Sequence, residues 1–362
     1  MMPRSKVVQK KKKITIENIE NVIRKTAPGT PLREAINRIQ EAELGALIVL
    51  GDPNELGDVL GNGFQLNTQF SPQKVYELSK MDGAIILSED GMTIHGANTQ
   101  LQPNFKLKTD ESGTRHQTAH RVAQQTGNLV ITVSERRNKI TIYKGDFRYI
   151  LHDIAGLLTK ASQAIMALEK YAGAIDSSLT RLYQSELDNM VTLYDVTEII
   201  RMYALLFKMS EEIEEYILEL GIEGRLISIQ YEEIMLNQKE GFELLLKDYK
   251  NMEITLNEIY KKIDELIENK VLTDENIISA LNYDKRDEMD EIVKPRGYRF
   301  LRNINKITNK DMELLVAEYN ELQAILLSSV EKMAQIKGIS KFKAEYISRR
   351  IKVLKNRIML EK

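Results

Sequence analysis

Ser112-Gly113-Thr114-Arg115-His116-Gln117-Thr118-Ala119 sets the frame for the whole chain. Hydroxyls, a guanidinium, an imidazole and a glycine stand directly before the amphipathic run 119–125, at what reads as the start of a helix. The unpaired amides and the dipole of a first helical turn favour negative charge, and Thr and Arg side chains add donors, so the cluster reads as a phosphate site. An N-cap with a surface Arg and His fits the spacing equally well.

Working outward, Met81-Asp82-Gly83-Ala84 precedes the apolar run Ile85-Ile86-Leu87, and Ser134-Glu135-Arg136-Arg137 follows Leu129-Val130-Ile131-Thr132-Val133. The order is strand, glycine loop, phosphate helix, strand and basic turn, and α/β folds build sites at the ends of buried strands. Helical periodicity covers 31–42, 72–80 and 115–126. A buried strand covers 46–50, and hairpins join 85–88 to 92–97 and 129–133 to 140–143. This predicts an N-terminal α/β domain with a mixed sheet over 15–150, after a basic tail at 1–14. From 153 to 282 strand signals vanish and no proline interrupts the chain. Apolar residues at three- and four-residue steps predict helices over 157–171, 175–194, 199–220, 227–237 and 242–269, a helical spine spanning 151–290. Pro295-Arg296-Gly297-Tyr298 restarts a compact unit at 291–362 with two short helical repeats, turning at Ile304-Asn305-Lys306-Ile307 and at Ile336-Lys337-Gly338-Ile339-Ser340. The second resembles a helix-hairpin-helix, whose usual pattern is Gly-hydrophobic-Gly and whose backbone amides grip a DNA phosphate without reading bases. Ser340 replaces the second glycine, and the first repeat has none. The fold class is thus multidomain, α/β plus all-α.

The chain has 362 residues, 43% apolar and 29% charged, which suits two or three globular domains. It has no cysteine, which excludes disulfides and thiolate metal sites and fits a reducing cytoplasm. No apolar run is long enough to span a membrane, and no apolar segment follows Lys10–Lys13 as a signal peptide requires. The net charge of −2 conceals an asymmetry. The middle carries Glu211-Glu212-Ile213-Glu214-Glu215, whereas 332–357 carries nine Lys or Arg against one acid, Glu345. That basic end points to an anionic partner, most simply nucleic acid, or forms a solvated helix face.

The residues above carry a close resemblance. Ala27-Pro28-Gly29-Thr30-Pro31-Leu32-Arg33, Gly45–Gly51, Phe70-Ser71-Pro72, Asp82-Gly83-Ala84, Gly113-Thr114-Arg115-His116, Ser134–Asn138 and Pro295-Arg296-Gly297-Tyr298-Arg299 resemble the DisA family of bacterial diadenylate cyclases. The likeness runs from about Thr26 to about Arg350, with Asp82 and Arg115 spaced as in that cyclase domain. It implies condensation of two ATP molecules into cyclic di-AMP with release of two pyrophosphates, the 3′-hydroxyl of each ATP attacking the α-phosphorus of the other. A product with two identical linkages calls for two half-sites facing each other across a dimer, within an octamer by resemblance.

By resemblance Asp82 serves the 3′-hydroxyl and holds Mg²⁺ or Mn²⁺; Gly83 and Ala84 line the ribose and base, and Leu101 contacts adenine. Thr114, Arg115, His116, Gln117 and Thr118 wrap the triphosphate, with His116 a phosphate or structural contact rather than a base. Ser134 donates from the strand end, and Arg136 and Arg137 do the same from the turn or form a solvated basic turn. Lys337, Gly338, Ile339, Ser340, Lys341 and Lys343 form the expected DNA contact, with branched or junction DNA as partner and a cytoplasmic, nucleoid-associated location. Two letters depart from the family pattern: Gln117 stands at the second arginine of the RHR motif, and His120 at a usual glutamate. Gln keeps a donor but loses charge and the bidentate fork. The competing reading is a weak or inactive ATP-binding protein that scans DNA without turnover.

Overall fold

The computed structural model describes residues 20–283 and 292–360, and side chains to 356. The basic tail read at 1–14 lies outside the described residues. By internal packing the chain forms two units. One takes the described residues up to Ala161 with Glu215–Ile227, and the other takes Ser162–Glu214 with those from Ser228 onward. Residues 151–161 and 215–227 of the span read as a spine pack with the α/β unit, and its other described residues pack with the C-terminal helices.

The α/β unit is built on a seven-stranded sheet of order β2-β4-β3-β1-β5-β6-β7. Its strands are β1 (Ala46–Leu50), β2 (Phe64–Gln69), β3 (Ala84–Leu87), β4 (Thr93–Thr99), β5 (Leu129–Val133), β6 (Ile140–Lys144) and β7 (Phe147–Ile150). β1 and β3 run parallel and every other pairing is antiparallel, giving the mixed sheet expected. β1, β3 and β5 are buried along their whole length because helices cover both faces. The period of two then sorts one strand into two cores. Ala46, Ile48 and Leu50 meet Ile36 and Ile39 of helix Pro31–Glu41, while Leu47 and Val49 meet Ala119, Val122 and Ala123 of helix Thr114–Thr126. Thr30 caps the first of these helices through the Arg33 amide, with Pro31 at its first position.

Two strands escaped the sequence reading. β2 is an almost fully exposed edge strand, Phe-Gln-Leu-Asn-Thr-Gln, with a register shift at Asn67, whose φ is +44°. An edge strand with no buried face leaves no alternation to read. β7 follows β6 through Gly145-Asp146 and shows only four residues.

After the sheet, the two helices expected over 157–171 and 175–194 are one 35-residue helix, Ile154–Asp188, which continues through Gly173. The run expected over 242–269 is two helices, Gln238–Tyr249 and Leu256–Glu268. The second restarts at a capping box in which Thr255 and Glu258 satisfy each other's amides. Helices Leu193–Leu220, Arg225–Met235 and Asp274–Ala280 complete the linker. The C-terminal part carries Tyr298–Arg302, Asn309–Tyr319, Leu322–Leu327, Val330–Gln335 and Lys341–Leu360 around a core of Phe300, Leu315, Ile325, Met333 and Ile347.

Candidate nucleotide site and hairpin end

The strand register gathers the sequence-predicted nucleotide residues at one edge of the sheet. Ala46 opens β1 opposite Val133, so Gly45 and Ser134 are neighbours, and Ala84 opens β3 opposite Thr99, so Asp82-Gly83 faces the stretch leading to Leu101. This edge holds the amino ends of the parallel pair β1 and β3 and the carboxyl ends of β4 and β5. The usual rule places α/β sites at carboxyl ends of parallel strands. Here antiparallel neighbours supply the carboxyl ends, so the site sits at the opposite end of the parallel pair.

Each residue has a local reason for its place. Gly83 has φ +85°, and a Cβ there would stand 2.8 Å from the Asn98 carbonyl carbon and 3.0 Å from the Thr99 nitrogen and oxygen, so only glycine lets this loop close on β4. Ala84 is fully buried beneath it. Asp82 is exposed on the rim. Leu101 bridges Leu60 and packs on the core from its half-buried position. Helix Thr114–Thr126 starts at Gly113, φ +94°, and no side chain caps it, which leaves its opening amides to an outside acceptor. A Cβ at Gly45 would collide with the Arg115 guanidinium, so the glycine before β1 is the groove in which that charge lies. Ser134 hydroxyl accepts the Arg137 amide at 3.3 Å, shaping the turn on which Arg136 is exposed.

His116 points under the helix. Its Nδ1 lies 2.9 Å from the Tyr143 hydroxyl and 3.1 Å from Thr132 Oγ1. Burial lowers its pKa, with the guanidinium of Arg115 adding to the effect against Glu111, and burial raises that of Tyr143. Of the two roles expected for His116, this geometry is the structural one. Gln117 turns the other way and donates from Nε2 to the Glu111 carbonyl at 3.0 Å, away from the groove of Arg115. A separate cavity of about 650 Å³ opens beside helix Pro31–Glu41, lined among others by Arg33, Arg137, Lys139 and His152; of the expected nucleotide contacts only Arg137 lines it.

Among the described residues no cluster of three or more His, Asp or Glu side chains could hold a metal ion. A lone rim carboxylate such as Asp82 nevertheless suits Mg²⁺ or Mn²⁺, which characteristically bind through one or two carboxylates plus substrate phosphates.

The hairpin end is a structural repeat. Ile304-Asn305-Lys306-Ile307 and Ile336-Lys337-Gly338-Ile339 form the same turn: Lys306 has φ +68° and Gly338 φ +110°, and Ile307 and Ile339 donate to the carbonyls of Ile304 and Ile336. Thr308 and Ser340 then cap the following helices, through the amides of Asp311 and Lys343. Those two third-position side chains meet, Lys343 Nζ lying 2.6 Å from Asp311. Lys343 is therefore held between the repeats, while Lys337 and Lys341 are exposed; Ile339 is buried and can offer only its backbone.

Sequence reading missed what Pro295–Arg299 does. Arg296 donates to the carbonyls of Lys247 and Lys250 at the end of helix Gln238–Tyr249. In return Asp248 accepts the amides of Gly297, Tyr298 and Arg299 at 2.7–3.1 Å. Arg299 pairs with Glu186 at 2.7 Å, both essentially buried, and Tyr249 donates to the same carboxylate. Burial pushes the Glu186 and Asp248 carboxyls up against the pull of Arg299; it works against the Arg299 cation too, but the negative charge of Glu186, with that of Asp248, outweighs it and raises Arg299. The motif is a joint between three helices. Ala27–Arg33 has a packing role too: the Pro28 carbonyl accepts the Ile222 amide, and Gly29, φ +92°, lies against that side chain.

An α/β domain with an anion-ready edge, a helical linker and a hairpin repeat defines a nucleotide-binding protein with a second, non-nucleotide end. Family models match the first two of these three parts. The model described as DisA bacterial checkpoint controller nucleotide-binding matches 33–147, and that described as DisA bacterial checkpoint controller linker region matches 151–290. Relatives named DNA integrity scanning protein DisA include one from Clostridium perfringens (strain SM101 / Type A), 40% identical over 96% of this chain and 98% of its own. Another, from Clostridium botulinum (strain Loch Maree / Type A3), is 39% identical with the same coverage. The chain belongs to the DisA family.

Proposed function

We propose that the protein is a diadenylate cyclase that couples cyclic di-AMP synthesis to the structure of bound DNA. The observation that carries the reading is the convergence, at one sheet edge, of the Asp82-Gly83 loop, the groove-held Arg115, the uncapped turn at Thr114 and the Ser134 strand end. ATP would lie with its base toward Leu101 and Ala84 and its triphosphate on Thr114, Arg115 and Thr118. Arg115 and the first-turn amides stabilise the charge that grows on departing pyrophosphate. Asp82, on the rim, takes the proton of the 3′-hydroxyl presented by a facing chain, so one chain alone carries half a site. A bound Mg²⁺ or Mn²⁺, held by Asp82 and phosphates, supplies charge neutralisation and Lewis acidity.

In the hairpin repeat, Lys337, Gly338, the Ile339 backbone, Ser340 and Lys341 form a phosphate grip on junction or other branched DNA, with assembly as a homo-octamer presenting several such grips. No described helix is long and apolar enough to cross a membrane. Binding without turnover is the second reading, favoured by Gln117, whose amide is spent on the Glu111 carbonyl and brings no charge to the phosphates. Incubation with ATP and Mn²⁺, then chromatography for cyclic di-AMP, separates the two: product supports the first, and ATP binding without product at any protein concentration supports the second.

A further inference from the structure

Helix Thr114–Thr126 has a side turned away from Arg115's groove, where His120 also touches the sheet core by stacking on the Tyr143 ring at 5.5 Å. Gln117 Nε2 donates to the Glu111 carbonyl at 3.0 Å, and His120 Nδ1 lies 2.9 Å from Thr109 Oγ1. Arg121 Nε donates to the Leu107 carbonyl at 3.1 Å, with its guanidinium 5.6 Å above the Phe105 ring. Gln125 Oε1 accepts the Asn104 amide at 2.8 Å. Steps of three and four residues put these four on one face. Each holds the connecting segment 104–111, which runs back along the helix with Glu111 at its start and Asn104 near its end. Glu111 is tied on its other side to Arg148 of β7 at 2.6 Å. The segment belongs to no strand or helix, so these side chains are its main fastening. It also joins the two halves of the nucleotide edge, because Leu101 precedes it and Gly113–Arg115 follow it.

We propose that Gln117, His120, Arg121 and Gln125 are positioning residues that fasten 104–111 and so fix the spacing between the base side and the phosphate side of the site. Gln117 and His120 are then working parts of this chain's version of the helix, not vacated phosphate contacts. The effect on ATP rests on the nucleotide-site reading; the fastening does not.

Hydrogen exchange by mass spectrometry on the full chain tests it, using Gln117→Met, which keeps the volume but loses the donor, and Thr109→Val, which breaks the His120 contact from the loop side and also frees the Glu111 amide, so that amide is left out of the comparison. Each lost bond is expected to speed exchange in 104–111 roughly twofold to tenfold. Exchange in β1, β3 and β5 stays as in the parent chain, and Thr109→Ser restores the parent rate. The KM for ATP rises by a similar factor with kcat nearly unchanged, since the ordering is lost equally from ground and transition states. Unchanged exchange in 104–111, or acceleration spread evenly through the sheet, overturns the fastening. Faster exchange with unmoved KM overturns the positioning role. A parent chain that binds no ATP defeats the nucleotide reading alone, and exchange still decides the fastening.

Discussion

Replacing Arg299 with Met probes the joint that Pro295–Arg299 forms. Its guanidinium is 3% exposed and Glu186 2%, and Asp248 is buried beside them, so the substitution keeps most of the volume but leaves two buried carboxyls without their cation. Breaking a buried pair from one side costs about 3–5 kcal/mol. In a unit of this size each kcal/mol moves the midpoint by about 2–4 °C, giving a fall of roughly 6–20 °C in the second unit's calorimetric transition. The α/β unit, which contains none of these residues, keeps its own transition and its nucleotide affinity. Adding Glu186→Gln returns part of the loss, because an amide still accepts the Tyr249 hydroxyl without a charge. The sign with pH follows from burial, which raises both carboxyls above their unfolded values near 4. Their stabilising contribution is complete below the unfolded pKa and is lost as pH rises through the folded one. The variant's deficit is therefore smaller at pH 5 than at pH 8. A midpoint drop under about 2 °C, or a deficit that grows on acidification, refutes this account of the joint.

Two further outcomes concern the nucleotide edge and the hairpin repeat. Gly83→Ala places a methyl against the backbone of Asn98 and Thr99 in a left-handed conformation that costs an L-residue about 1–2 kcal/mol before the clash; cyclase turnover should fall at least tenfold, read by product formation beside a melting curve. Lys337→Ala with Lys341→Ala should weaken junction-DNA binding and reduce its salt slope by about 2, one for each phosphate contact, whereas Lys343→Ala should lower stability through Asp311 with little change in that slope.

The α/β core was legible because its central strands are unbroken apolar runs and its helices open on Thr30-Pro31 and Ser71-Pro72. β2 was hidden because an exposed edge strand has no buried period to display. The break at 250–255 was visible in the Thr255–Glu258 capping signal but was masked by apolar periodicity on either side. The candidate nucleotide residues were picked out by type and clustering; that they meet at the amino ends of β1 and β3 depends on antiparallel pairings that no local pattern specifies. Arg296, Arg299, Glu186 and Asp248 lie too far apart in sequence for their joint to be read. Lys343 looked like its exposed neighbours until the repeat paired it with Asp311.

Cyclic di-AMP formation by the full chain, followed against protein concentration and beside Asp82→Asn, tests the central claim most directly. The account predicts product from ATP and Mn²⁺, a specific activity that rises with concentration as half-sites meet, and its collapse in Asp82→Asn with ATP still bound. ATP bound by the parent chain with no product at any concentration, or product undiminished in Asp82→Asn, contradicts it.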